Sequence, residues 1–325
     1  MVMLINEEIV MAVPLLNVLN VQERKKKIKQ KTSQQRYSNW QRNQNKRRVD
    51  QQLNDTLPIF TSHKPYQVFF INYMSSFFTI LRLIECARQT TYFTIDTEND
   101  DRSHKPALIQ IELVQFEEQT ATATTTTVVI FEMCHLLSRK TLKYQRIQQL
   151  LSTIFNPSKT FLTWGDGENE LSKFKIYQLF QSIPVASLQF KNVQNLFKNW
   201  YNNTYKHNFN CCMTAFNDID DDPYCTCAHR PYKDPSNTWS LQKAVAMIFQ
   251  QFLDKSLTRN NWGQGLDNRL YHKIQFDGIN YNVTSILTRE QEQIRLQLVK
   301  YAVHDCLAVT KLVLKIGRDH LFKHQ

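Results

Sequence analysis

Three runs of β-branched and apolar residues follow one another closely, at 91–96, 107–114 and 126–132, and then give way to alternating helical and extended patterns. That order constrains the fold more than any other feature. Successive strands with short connections pair as antiparallel neighbours, whereas strand–helix–strand units add parallel ones. The expected later elements are a helix at 141–154, a strand at 160–164, a helix at 168–180, and helices at 239–253 and 288–316. Ahead of the three runs stand a strand at 67–72 and a helix at 77–86. The pattern predicts an α/β fold with one mixed sheet and helices on both of its faces. The Thr/Ala-rich stretch 120–127 serves as a hairpin loop between the second and third runs.

Charge and composition divide the chain. The formal charge is +11, yet residues 21–50 alone carry eleven Lys and Arg against Glu23 and Asp50. Rich in Gln and Asn and without apolar periodicity, residues 1–55 are expected to be a disordered basic tail. Its basic clusters, Arg24-Lys25-Lys26-Lys27 and Lys46-Arg47-Arg48, suit nuclear import, a non-specific phosphate-binding arm, or a solvated linker. Residues 56–325 read as a globular domain interrupted by a hydrophilic insertion at about 198–237. Only 6 glycines are present, which argues against a glycine-rich phosphate loop. The apolar stretch 66–86 is broken by Asn72, Ser75, Ser76 and Arg82, so no membrane span is expected. Residues 1–20 lack the basic start of a secretory signal, and seven cysteines are an odd number. Both point to an intracellular protein with free thiols, nuclear or cytoplasmic. His207, Cys211, Cys212, Cys225, Cys227 and His229 invite a zinc reading, but the spacing in Cys225-Thr226-Cys227 is shorter than a zinc knuckle's.

Chemistry enters at the end of the first strand run. In Thr94-Ile95-Asp96-Thr97-Glu98 the two acids are two residues apart, so on a strand both project from one face. Adjacent carboxylates repel unless a cation lies between them, and oxygen-only donors select Mg²⁺ or Mn²⁺. Far downstream, Tyr301 and Asp305 are four residues apart, about one turn on the inward face of the last helix. A carboxylate on that face needs a partner: a hydrogen bond from Tyr301 or a strand, or a metal shared with Asp96 and Glu98.

This order resembles the DEDDy branch of 3′–5′ exonucleases, in particular the RNase D and Werner-type group. The resemblance runs from about residue 65 to 316. It is carried by the Asp96-Thr97-Glu98 pair, Pro106-Ala107-Leu108-Ile109-Gln110-Ile111, and Trp239-Ser240-Leu241-Gln242. Leu253-Asp254-Lys255-Ser256, Asn260-Asn261-Trp262, Leu287-Thr288-Arg289-Glu290-Gln291 and the Tyr301/Asp305 pair complete it. Where the family carries its middle aspartate, this chain reads Asn169-Glu170-Leu171, so Glu170 takes that position and Asp166 is the alternative.

The resemblance implies a ribonuclease H-like fold and hydrolysis of the terminal phosphodiester at a single-stranded 3′ end. It implies two Mg²⁺ or Mn²⁺ ions, with Asp96, Glu98, Glu170 and Asp305 as ligands. Tyr301 would orient the attacking water, and Lys255 would either contact a substrate phosphate or stabilise the fold. Trp262 would be a packing anchor. Because glutamate is one methylene longer than aspartate, the alternative is a catalytically impaired protein that binds nucleic acid as a scaffold.

Overall fold

The computed structural model describes residues 51–116, 125–179, 185–205, 236–276 and 281–317, with helical positions at 35–38, 40, 41, 44 and 48. Met1–Thr56 forms a unit separate from Leu57–Gln325. Among the few described residues of the smaller unit, 35–38 and 51–56 are helical, and Tyr37 and Trp40 stack at 6.0 Å between ring centroids. Most of the stretch expected as a disordered basic tail lies outside the described residues.

In the larger unit six strands form one sheet: β1 (Tyr66–Ile71), β2 (Tyr92–Asn99), β3 (Pro106–Val114), β4 (Thr126–Glu132), β5 (Thr160–Thr163) and β6 (Gln189–Asn192), in the order β1-β4-β3-β2-β5-β6. β2, β3 and β4 pair antiparallel; β1 joins β4, β5 joins β2 and β6 joins β5 in parallel. This is the mixed sheet flanked by helices that the sequence led us to expect. All nine residues of β3 are buried, as befits a strand covered on both faces.

Helices α1 (Phe77–Gln89) and α2 (Leu142–Ile154) pack on one face through Ile80, Leu83, Ile84, Ile147, Leu150 and Leu151 against Phe93, Ile109 and Phe131. The other face carries α4 (Val193–Thr204), α5 (Leu241–Phe249) and α6 (Arg289–Ile316), which bury Phe197, Val245, Val303 and Leu307 over Leu108, Val128 and Leu162. Each fully buried side chain of this size contributes about 1.5–3 kcal/mol. Short helix α3 (Gly167–Ser172) follows β5 and tightens into a 3-10 turn over Lys173–Tyr177. Every one of these helices begins on Ser, Thr, Asp or Asn with its side chain accepting from a first-turn amide, so each boundary has a local cause.

Three differences from the expected elements have plain reasons. The stretch expected as an insertion from about 198 starts inside α4, whose buried face Val193, Phe197 and Tyr201 is spaced by four residues and hidden among Asn and Lys. Residues 206–235, including the cysteines and histidines considered for zinc, lie outside the described residues. The helix expected at 239–253 stops at Phe249, where Gln250 turns left-handed at φ 52° and Phe252 bridges to Ile59. Strand β6 and the hairpin β7 (His272–Phe276) with β8 (Tyr281–Ser285) were not expected from the sequence. No helix among the described residues is long and apolar enough to cross a membrane.

Candidate metal centre

Alternation along β2 sends Phe93 and Ile95 into the core beneath α1 and α2, and turns Thr94, Asp96 and Glu98 toward α6. Helix α6 is fixed at its start by a capping box: the Thr288 hydroxyl accepts from the Gln291 amide at 3.2 Å, and the Gln291 side chain accepts from the Thr288 amide at 2.9 Å. The helix runs opposite to the strand. Thr94 Oγ1 meets Thr310 Oγ1 at 2.7 Å, so residues further along β2 meet residues earlier in α6. Asp96, Glu98 and Asp305 thereby converge, each offering a carboxylate oxygen within 4.8 Å of the others. Glu98 and Asp305 are buried and Asp96 is half-buried.

The crowding tells on Asp96 and Glu98. Burial, then the charge of Asp305, pushes the Asp96 carboxyl up to about 7 against the opposing pull of Lys255. Burial, then Asp96 and Asp305, pushes Glu98 well above the usual range, with Glu170 a minor contributor. Lys255 is the cluster's own cation. Its ammonium pairs with Asp305 Oδ2 and stands 5.0 Å from the centre of the Tyr301 ring. Burial acts to lower its pKa, but Asp305, Tyr301 and Asp96 outweigh that and hold it above normal. Asp305 Oδ1 is buried without a hydrogen-bond partner. An orphaned carboxylate oxygen beside two other acids, in a set made only of hard oxygen donors, fits a hard divalent cation.

Tyr301 closes the group from above. Its hydroxyl exchanges a hydrogen bond with Thr258 Oγ1 at 2.8 Å and receives one from Lys255 Nζ at 3.4 Å, while its ring packs 5.6 Å from that of Trp262. Burial, then the Asp305 charge, raises its pKa, so the phenol keeps its proton and acts as a hydrogen-bonding group rather than a base.

Of the residues singled out from the sequence, the fold brings Asp96, Glu98, Asp305, Tyr301 and Lys255 together. Glu170 stands outside the three-carboxylate group. Half-exposed on α3, it accepts from Thr97 Oγ1 at 3.2 Å and pairs with Lys173 at 2.6 Å. Asp166 is exposed and occupied as the cap of α3, accepting from the Asn169 amide at 3.1 Å. Thr258, which holds the Tyr301 hydroxyl, was missed. So were Gln110 and Glu112 of β3, which face α6 beside the cluster. The register pairs Gln110 with Asp96 and Glu112 with Thr94, and Thr310 donates to Glu112 at 2.5 Å. Two polar residues at a spacing of two in an otherwise apolar strand were the signal for them.

No protein-family model matches the chain, and no curated protein matches it. Solved structures do. The Aedes aegypti Nibbler EXO domain superposes with a TM-score of 0.42 at 12% identity, covering 79% of this chain and 92% of that one. Escherichia coli RNase D gives 0.40 at 15% identity, covering 79% of this chain and 45% of that one. Trypanosoma brucei RNase D gives 0.40 at 11% identity, covering 81% and 66%. What the site can do rests on its own side chains.

Proposed function

We propose that the chain is a divalent-metal-dependent 3′–5′ exonuclease acting on single-stranded nucleic acid. The observation that carries this reading is the convergence of Asp96, Glu98 and Asp305, donor atoms within 4.8 Å, under Tyr301. These three would hold Mg²⁺ or Mn²⁺, two ions in the complete site, with Glu170 contributing through water from its place beside Thr97. A metal held there would supply Lewis acidity for an attacking water and the leaving 3′ oxygen. The remaining work belongs to the chain. Tyr301, its hydroxyl fixed by Thr258, orients the nucleophilic water through a hydrogen bond. Lys255, paired with Asp305 and with 23% of its side chain exposed, would meet a substrate phosphate. Trp262 keeps the tyrosine ring from turning away.

One observation favours a second reading, a protein with this fold that binds nucleic acid without cutting it: Glu170 is tied to Lys173 and does not join the carboxylates. The deciding experiment offers end-labelled single-stranded RNA and DNA to the wild type and to Asp305→Asn, in Mg²⁺ and in Mn²⁺. The nuclease reading expects stepwise shortening from the 3′ end and a loss on the order of 100-fold or more in the variant. Equal background rates in the two proteins, with binding retained, establish the second reading instead.

A further inference from the structure

The C-terminal ends of β1, β2, β4 and β5 lie at one end of the sheet, so the first turns of α1 and α2 open at the same end as Asp96 and Glu98. These two turns carry an unusual surface. Phe78 and Leu142 are 77% and 74% exposed, and Tyr73 and Phe77 stand 40% and 42% exposed beside them. Basic side chains interleave with the apolar ones. Lys143 Nζ donates to the Tyr73 carbonyl at 3.0 Å, and the Arg146 guanidinium sits 5.7 Å from the Phe77 ring centre. Arg139 and Lys140 are exposed immediately before α2.

The acids nearest to this charge, Glu132 and Asp267, are buried and take hydrogen bonds from the Asn72 side chain. The sequence contains no Asp or Glu from Leu57 to Ile84, or from Met133 to Gly165. Neither helix has an acid in its first turn, so both dipole ends add to the positive field. Hydrogen bonds also link these turns to the end of β2 that carries the carboxylates. The Tyr73 amide donates to the His135 carbonyl at 2.8 Å, His135 Nε2 meets the Gly263 carbonyl at 3.0 Å, and the Gly263 amide donates to Asp100 Oδ1 at 3.0 Å, two residues beyond Glu98.

We infer that the first turns of α1 and α2 hold the same nucleic-acid strand 5′ to the nucleotide at the carboxylates, bases against Phe78 and its apolar neighbours and phosphates against Lys140 and Arg146. This rests on the nuclease reading for its direction, not for its existence. Exposed aromatics give a base something to stack on without reading its identity, and flanking cations track the backbone. An acidic peptide would match the charge, but it makes less use of flat exposed rings lying between the cations. Three strand spacings, roughly 14 Å, separate β1 from β2 in the plane of the sheet, and the two places lie on opposite faces at its edge, so only a strand several nucleotides long that passes over that end reaches both.

The test uses the full chain with the double variant Lys140→Glu/Arg146→Glu and with Phe78→Ala, all exposed positions, after thermal unfolding shows each is folded. Binding of a labelled single-stranded 20-mer is followed by anisotropy in EDTA, where no cutting occurs. The expected result is a loss of about tenfold with Phe78→Ala. The double variant should bind at least as weakly, with a salt slope shallower by about 1.4, two phosphate contacts at about 0.7 each. In turnover, KM for the 20-mer should rise with kcat unchanged, while a trinucleotide is cut as by wild type. Unchanged affinity and salt slope in both variants overturn the inference while leaving Asp305→Asn to decide the nuclease reading separately. So does a double variant that loses only an acidic peptide. If wild type binds the 20-mer through this surface but never cuts it, the inference stands and the nuclease reading falls.

Discussion

Glu112 should make the protein less stable as the solution becomes less acidic, and replacing it with Gln should remove that dependence. The residue is 1% exposed on β3, facing α6, and accepts hydrogen bonds from Thr310 at 2.5 Å and from Thr126 at 3.2 Å. Burial nevertheless pushes its carboxyl from 4.5 up to about 7, with the two hydroxyls and Lys64 only partly opposing. The folded chain therefore keeps a proton that the unfolded chain releases. The stability tied to that proton is complete below about pH 4.5 and is lost as pH rises through about 7. At 1.36 kcal/mol per pH unit, the interval amounts to roughly 3 kcal/mol. Glu112→Gln keeps the shape and does not titrate. Near pH 5 it should lie within about 1 kcal/mol of wild type, the scale of one altered hydrogen bond. By pH 8 it should gain roughly 2–3 kcal/mol on the wild type, or about 6 °C in melting temperature. Urea unfolding of both proteins from pH 5 to 8 measures this. Asp96 and Glu98 also titrate abnormally, but they are present in both proteins and cancel in the difference. A difference that stays flat across the range would refute the claim that Glu112 is protonated in the folded state.

Lys255→Met leaves the buried Asp305 carboxylate without its cation. The apo protein should lose roughly 3–5 kcal/mol, and saturating Mn²⁺ should recover more stability in the variant than in wild type, read by thermal shift. Gly167→Ala would place a Cβ 2.5 Å from Thr163 Cγ2 and 2.7 Å from Phe190 Cδ1 at the start of α3. It should destabilise by about 1–3 kcal/mol, and a variant as stable as wild type in urea would mean that α3 yields without strain.

The strands were legible because alternation is local. Strand β4 matches its expected span, and β2 and β3 differ from theirs by a few residues, so the shared face of Asp96 and Glu98 followed directly. Asp305 and Tyr301 were legible for the same reason on a helix, since four residues return to one face. What the sequence hid depends on docking. Lys255 became the counter-ion of Asp305 only because a segment without helix or strand runs under α6, which no periodicity announces. Glu170 fell outside the carboxylates because α3 is six residues long and tightens into a 3-10 turn, which leaves the side chain beside Thr97. Helix α4 was obscured because its polar residues outnumber the buried Val193, Phe197 and Tyr201, and strand β6 because it is four residues long with none of them fully buried.

Opposed β2 and α6 also order events during synthesis. Asp96 and Glu98 leave the ribosome about two hundred residues before Tyr301 and Asp305, which at 5–20 residues per second is a delay of roughly 10–40 s. Throughout that interval the nascent chain holds two of the three carboxylates and no tyrosine above them. A chain halted before Arg289 can pair its sheet but lacks the helix that completes the cluster. The centre is thus assembled only when α6 has been made and folds back onto the first long strand of the meander.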